Sequence, residues 1–453
     1  MKIEHQKVRN QDYQPLSDNS KYYRIDIGLL GFWFILALIL RLTLLASKPV
    51  WSDEFATLVF SLGHSFRDLP FDVPISLDTL LSPLQLDSSL SIFSVPDNLF
   101  RESNHPPIYF MLTHLWVKLF SHDGDLVSIW GARSLSAIFG AMTVPAMFGL
   151  AWVTFRSLLV GHIAAVLMAI SPYGVYLAQE ARHYTLALIL IIASFACLIT
   201  TIYKIQQKDS LPIWIGFSWV IINTLGIAVH FFFIFTLGAI GLVITGFWLK
   251  NCQFSPVQFP AWKSWKSVYF AAIGTMTGVL VWLPIFLAIS NPESELIRWT
   301  FHGDPLENFL EPIGRLIIWM TTMIVMLPVE NQPILITIIS ASMMLAGLGI
   351  TGKLVWESGK RLPEDWRFSQ GILIGLVASA IAIILAITYG FSIDLTLVAR
   401  YHFTYFPIII LIVAVSFTVG WQSPGKQNWR RKVIIFVCSV GLIGAISVAT
   451  HLA

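Results

Sequence analysis

The chain has 453 residues, 56% of them hydrophobic and only 12% charged, with a mean hydropathy of +0.71. A water-soluble globular protein carries about 25% charged residues, so repeated apolar runs of about 20 residues between short polar breaks specify an all-α polytopic membrane protein. A net charge of +3 with no basic run on a soluble module gives no ground for a nucleic-acid partner, and the widely spaced Cys197, Cys252 and Cys438 support neither a disulfide framework nor a cysteine metal site.

The first 24 residues are polar and hold five Lys/Arg. No small-residue cleavage site follows the first apolar run, so this segment reads as the cytoplasmic tail of an uncleaved signal anchor. The apolar runs that follow are 27–46, 134–155, 158–177, 185–203, 211–229, 231–249, 268–289, 332–352, 370–389, 401–419 and 433–450. Two shorter ones lie at 106–120 and 313–329. With eleven spans and a cytoplasmic N-terminus, the inner segments hold 19 of the 29 Lys/Arg and the outer segments 18 of the 26 Asp/Glu, in keeping with the positive-inside rule. Letting both short segments cross gives thirteen spans and exchanges the sides of everything between them. Eleven spans with two interfacial or re-entrant helices is the preferred topology, and thirteen the alternative.

This arrangement leaves a large outer loop at 47–133 with ten acidic residues, and a second acidic outer loop at 290–331. A transmembrane domain then covers 25–420, and 421–453 forms a basic inner loop with the last span. The topology places both loops on the face opposite the cytoplasmic N-terminus. Within the first loop, Pro106-Pro107 stiffens the entry to a helix in which Ile108, Leu112, Leu115 and Leu119 share one face and His114 and Lys118 another. That pattern predicts an amphipathic helix on the membrane surface.

The polar residues at the outer ends of the spans are the candidates for chemistry. In "VWSDEFAT", 50–57, Asp53 and Glu54 follow the first exit from the membrane and are framed by Trp51 and Phe55, residue types of the membrane interface. Acidic residues in an outer loop are ordinarily just solvated, but a carboxylate held partly desolvated at headgroup depth is a stronger base. "SPYGVYLAQEARHY", 171–184, packs Glu180, Arg182, His183 and Tyr184 into one boundary. His105 stands before the double proline, and His230 at the apex of an apolar hairpin. "VARYHFTYFP", 398–407, carries Arg400, Tyr401 and His402. Arg41, Arg133, Arg182 and Arg400 all lie at outer ends. Each alone can snorkel, but together they suit an anionic headgroup, because guanidinium binds phosphate bidentately. The Asp-Gly-Asp at 123–125 has the form of a nucleotide-sugar metal motif, yet Asp-Gly is equally a turn signal.

Taken in order, these motifs resemble the GT-C glycosyltransferases related to protein O-mannosyltransferases (family 39), aminoarabinose lipid A transferases and the rhizobial lipopolysaccharide galacturonosyltransferases. "VWSDEFAT", "HPPIYFMLTHLW", "RSLSAIFGAMTVPAMFGLAWVTF", "SPYGVYLAQEARHY", "VHFFFIF" and "RYHFTYFP" match that family's segments in sequence over about 50–407. The resemblance implies the GT-C fold and a polyprenyl-phosphate sugar donor. It implies transfer at the outer face to a lipid, glycan or protein acceptor, with inversion at the sugar carbon. It makes Asp53 the catalytic base, with Glu54 beside it, and places Arg41, His105, Glu180, Arg182, Tyr184, His230, Arg400 and Tyr401 around the substrate. Some relatives bind a divalent metal ion at this cavity and others do not; His105 and His230 match motif histidines and are the candidate ligands. The rival reading is a transporter or lipid-linked-sugar flippase, whose signature would be charges at span centres and paired broken helices. Here the polar residues cluster at span ends.

Overall fold

The computed structural model describes residues 19–70, 72–253, 262–289, 308–423 and 427–451. The N-terminal tail ahead of residue 19 and the 290–307 stretch of the expected second outer loop lie outside the described residues. What is described is all-helical, apart from one isolated bridge between Gln85 and Leu126.

In chain order the helices are α1 (Asn19–Leu42), α2 (Ser52–Ser61), α3 (Leu77–Leu81), α4 (Ser94–Glu102), α5 (Ile108–Val117), α6 (Ile129–Phe155), α7 (Leu158–Ala169), α8 (Pro172–Tyr176) and α9 (Tyr184–Gln206). They continue as α10 (Ile213–Val229), α11 (Phe233–Gln253), α12 (Trp262–Leu280), α13 (Leu283–Ile289), α14 (Leu310–Thr322), α15 (Ile334–Gly359), α16 (Glu364–Phe391), α17 (Phe406–Gln422) and α18 (Gln427–Ala449). Six of them contain stretches long and apolar enough to cross a membrane: Ile129–Phe155, Tyr184–Gln206, Phe233–Lys250, Ile334–Gly359, Glu364–Phe391 and Asn428–Ala449. The chain is therefore an integral membrane protein.

Each of the eleven apolar runs falls mainly on helix, and three are broken, the 401–419 run passing from a 3₁₀ turn (Ala399–Thr404) into α17 at Phe406. The 158–177 run splits into α7 and α8 because Ser171 and Pro172 restart the helix, with Ser171 Oγ accepting from Gly174 N. The 268–289 run splits ahead of Pro284 for the same reason, since an interior proline removes a backbone donor. The short 106–120 run folds as the ten residues of α5, about 15 Å long against the roughly 30 Å of a bilayer core. Its apolar face is the exposed one: Leu112, Leu115 and Leu119 point outward, while His114 is buried with Nδ1 on Ser61 O at 2.8 Å.

α6 packs against α1, α7 and α9, α17 covers α7, and α10–α12 and α11–α16 pair outside them. The buried core runs through α6, α7, α9 and α17, with Met147, Met168, Phe195 and Phe417 among its closed side chains. The 43–128 segment folds over the N-terminal end of α6. Trp116 Nε1 donates to Gly131 O and Ser134 Oγ, Asn98 Nδ2 donates to Gly63 O, and Glu102 accepts from Ser65 and Phe66 N. Gly63, at φ +86°, makes the turn that lets α2 reverse direction. Asp123–Asp125 forms a turn with Gly124 at φ +84°, and Asp123 accepts from Ser88 N. This is the turn reading of that triplet.

Candidate active site

Four segments meet at the end of the bundle covered by residues 43–128: the first turn of α2, the 177–183 connection into α9, the 103–107 loop before α5, and the 3₁₀ turn at Ala399–Thr404. Asp53 and Glu54 sit in the first turn of α2, where the helix dipole favours acids. Consecutive helical residues point about 100° apart, and here that angle separates two fates.

Glu54 is fully buried. Its Oε1 accepts from Arg133 Nε at 2.7 Å and Ala181 N at 2.8 Å, and its Oε2 from Arg133 Nη2 at 2.7 Å. Arg133, on α6, also donates to Leu45 O and Lys48 O at 2.8 Å each and to Pro49 O at 3.3 Å. One closed ion pair thus stitches together the α1–α2 connection, α2, α6 and the 177–183 loop. Both oxygens of the buried Glu54 accept from Arg133, and Arg133 spends its fork on Glu54 and on backbone carbonyls.

Asp53 faces outward with its side chain 41% exposed. Its Oδ2 lies 3.7 Å from Arg182 Nη2 and 3.7 Å from Arg400 Nη2, close enough for charge attraction but beyond hydrogen-bond length. Arg182 is held from behind: Nη1 donates to Asp53 O at 2.9 Å and Thr57 Oγ1 at 2.8 Å, and Nη2 contacts His105 Nε2 at 3.2 Å. Ser136 of α6 secures its backbone, donating to Arg182 O and accepting from Arg182 N. Because Arg182 has only donors, His105 Nε2 is the acceptor, so its proton sits on Nδ1 and is donated to Ser103 Oγ at 2.9 Å. Burial, reinforced by the Arg182 charge, pushes the His105 pKa down to about 3.

Arg400 stacks on the Trp51 ring at 4.3 Å, and Arg182 reaches the same ring at 5.9 Å. The 3₁₀ turn that carries Arg400 is anchored by Tyr173 OH donating to Ala399 O. Just upstream, Trp319 Nε1 donates to Thr396 O, and Arg315 pairs with Asp394 at 2.6 Å and with Glu311. Tyr401 packs edge-on against Phe232 at 4.7 Å. Glu180 is buried beside Lys48, which donates to its Oε1 at 3.1 Å; burial pushes its pKa up and Lys48 opposes the shift.

Behind Arg182 lies an aromatic shell. The His183 ring is 5.4 Å from His105, 5.2 Å from Tyr184 and 4.2 Å from His230, and the His230 ring is 4.7 Å from Phe403. His230 Nδ1 accepts from Phe232 N. His183 is fully buried, and neither ring nitrogen has a hydrogen-bond partner among the described residues.

The structure therefore brings Asp53, His105, Arg182, Tyr184, His230, Arg400 and Tyr401 into one neighbourhood, with Glu180 at its edge. Arg41 is withdrawn from it: its guanidinium is fully buried and donates to Ala37 O, Ala169 O and Met168 O. A cation there satisfies the carbonyls left free at the C-terminus of α7. The close fit needs Gly140, where a Cβ would meet Arg41 Nε at 3.0 Å and Ala178 Cβ at 2.6 Å. The sequence reading under-weighted Trp51, taken only as an interfacial residue, and Lys48; Lys48 carries no local signal, since its partner is 132 residues away.

Among the described residues no three His, Cys, Asp or Glu side chains converge to hold a metal. Asp53 is flanked by two guanidiniums, and the outward lone pair of His105 is committed to Arg182.

No family model and no curated protein matches the sequence. Among solved structures, the chain is similar to the oligosaccharyltransferase of Archaeoglobus fulgidus in complex with Zn and sulfate. The TM-score is 0.52 at 14% identity, covering 94% of this chain and 52% of that one. The same archaeal enzyme tethered to an acceptor peptide with an NVT sequon gives a TM-score of 0.50 at 12% identity, covering 96% and 56%. ArnT from Cupriavidus metallidurans in the apo state gives 0.48 at 13% identity, covering 96% and 77%. The chain thus spans about half the length of the archaeal enzyme. At these identities the likeness establishes the fold, which is the GT-C arrangement of membrane glycosyltransferases.

Proposed function

We propose that the chain is an integral membrane glycosyltransferase. It moves a sugar from a polyprenyl-phosphate donor to a hydroxyl-bearing acceptor (lipid, glycan or protein) at the outer face of the membrane. The observation that carries this reading is Asp53: an exposed carboxylate set between two guanidiniums at the end of an apolar helix bundle. Relatives in fold support it, since ArnT from Cupriavidus metallidurans has been crystallised bound to undecaprenyl phosphate and the archaeal oligosaccharyltransferase in complex with a dolichol-phosphate.

In this reading the donor phosphate lies against Arg182 and Arg400. Their Nη2 atoms each stand 3.7 Å from Asp53 Oδ2, beyond hydrogen-bond length, so a phosphate seated beside them can accept from both and leave the carboxylate with the proton-accepting role. The acceptor oxygen attacks the anomeric carbon as its proton passes to Asp53 Oδ. The bond from that carbon to the phosphate oxygen breaks, and polyprenyl phosphate leaves with the electron pair. One displacement inverts the sugar carbon. Charge grows on the phosphate during this step, so the two guanidiniums bind the transition state more tightly than the substrate. Tyr184 and Tyr401 border the same space, while His105 holds Arg182 in place.

The test is transfer by purified protein from a synthetic short-chain polyprenyl-phosphate sugar, with Asp53→Asn as the control. Use of a nucleotide sugar directly, with the lipid donor ignored, would overturn the reading.

A further inference from the structure

Trp51 occupies a position where tryptophan is out of place by local rules. It is the N-cap of α2, in extended conformation, and makes no side-chain capping bond. Ser, Thr, Asp or Asn there would satisfy a free helix N–H. Its indole Nε1 is buried without a hydrogen-bond partner among the described residues, a second unfavourable feature. The ring instead spends its face on cations, with Arg400 at 4.3 Å and Arg182 at 5.9 Å from its centroid. These are the two guanidiniums whose Nη2 atoms both stand 3.7 Å from Asp53 Oδ2.

The two arginines are not held alike. Arg182 is fixed by Asp53 O, Thr57 Oγ1 and His105 Nε2 whether or not Trp51 is present. Arg400 comes from the other side on a 3₁₀ turn, stands 3.7 Å from Asp53, has Tyr176 as a side-chain hydrogen-bond partner, and places its guanidinium carbon over the indole. Two guanidiniums converging on one carboxylate repel each other. The negative face of an indole, the strongest cation–π partner among side chains, offsets that repulsion and sets the plane of the Arg400 fork.

We propose that Trp51 is a positioning residue for the donor: its ring orients Arg400 so that the fork presents its N–H groups to the phosphate beside Asp53. This rests on the glycosyltransferase reading and assigns Trp51 a role in it that acts through Arg400 alone.

The test is binding of a short-chain polyprenyl phosphate, without sugar, to the purified full chain, for Trp51→Phe and Trp51→Leu in the wild-type and Arg400→Ala backgrounds. Trp51→Leu raises Kd by roughly two- to thirtyfold, the range spanned by a cation–π contact. Trp51→Phe, which keeps a weaker face and loses only an unpaired donor, raises it less. In the Arg400→Ala background both substitutions change Kd by less than about twofold, because the coupling has no partner left. A purely structural role for Trp51 would instead give the same loss in both backgrounds, and that result overturns the proposal, as does an unchanged Kd for Trp51→Leu. Should Trp51→Leu not fold, Trp51→Phe in the two backgrounds decides the matter. A wild type that binds no polyprenyl phosphate refutes the donor assignment itself; a wild type that binds it while the Trp51 effects ignore Arg400 refutes this inference only.

Discussion

Substituting the two adjacent carboxylates one at a time, Asp53→Asn and Glu54→Gln, should separate chemistry from architecture within a single helical turn. Glu54 and Arg133 are both 0% exposed, and among the described residues Glu54 is the only carboxylate paired with that guanidinium. Glutamine would leave the Arg133 charge buried and uncompensated, which costs about 3–5 kcal/mol. It would also turn an amide N–H toward Ala181 N–H or Arg133, where Glu54 now only accepts, stranding a buried donor. Asp53 differs: its side chain is 41% exposed, and its contacts to the guanidiniums of Arg182 and Arg400 are 3.7 Å long, beyond hydrogen-bond length, so asparagine there breaks no closed hydrogen bond to either arginine. Asp53→Asn should therefore unfold within a degree or two of wild type yet lose transfer by a factor on the order of 10² or more, the scale of a general base. Glu54→Gln should unfold several degrees lower and give less folded protein. The assay pairs thermal unfolding in one detergent with the transfer rate per mole of folded enzyme. A Glu54→Gln variant with wild-type thermal stability and an Asp53-like loss of kcat would make Glu54 a catalytic group and refute the assignment of the buried pair to architecture.

Other outcomes follow from the same geometry. Arg400→Lys keeps the charge but loses the planar fork, so transfer should already fall; Arg400→Ala should lower kcat/KM by about 2–4 kcal/mol. Wild-type kcat/KM in both Arg182→Ala and Arg400→Ala would move the phosphate site elsewhere. His105, with its pKa held at about 3 against an ordinary value of 6.5, stays neutral in the folded state while the unfolded chain takes up a proton below about 6.5. Its contribution is thus present above pH 6.5 and lost as pH falls toward 3. Thermal melts of wild type should drop more steeply over that window than those of His105→Gln, and parallel curves would show that His105 is not the neutral partner of Arg182. A single cysteine at the exposed Asp123, in a Cys-free background, should react with an impermeant thiol reagent on intact cells; reaction only after the inner face is opened would reverse the proposed sidedness.

Much of this protein is legible in the sequence because the signals are local. A run of about twenty apolar residues satisfies its own backbone in a membrane as helix, so the eleven runs fall mainly on helix, and Ser171-Pro172 marks a break by chain stereochemistry alone. The clustering of Asp53, Arg182 and Arg400 at span ends was likewise visible, since charge is expelled from span centres. What the sequence could not settle was which of four similar arginines faces the site. Arg41, Arg133, Arg182 and Arg400 all sit at helix ends and differ only in what packs against them. The free carbonyls of α7 take the first and Glu54 the second, and neither partner is near in sequence. The same holds for the pair at 53–54. Side chains about 100° apart on a helix are equivalent until α2 docks; its Glu54–Thr57–Leu58–Ser61 face turns inward, and that contact decides which carboxylate is sealed against Arg133 and which is left facing out between two guanidiniums.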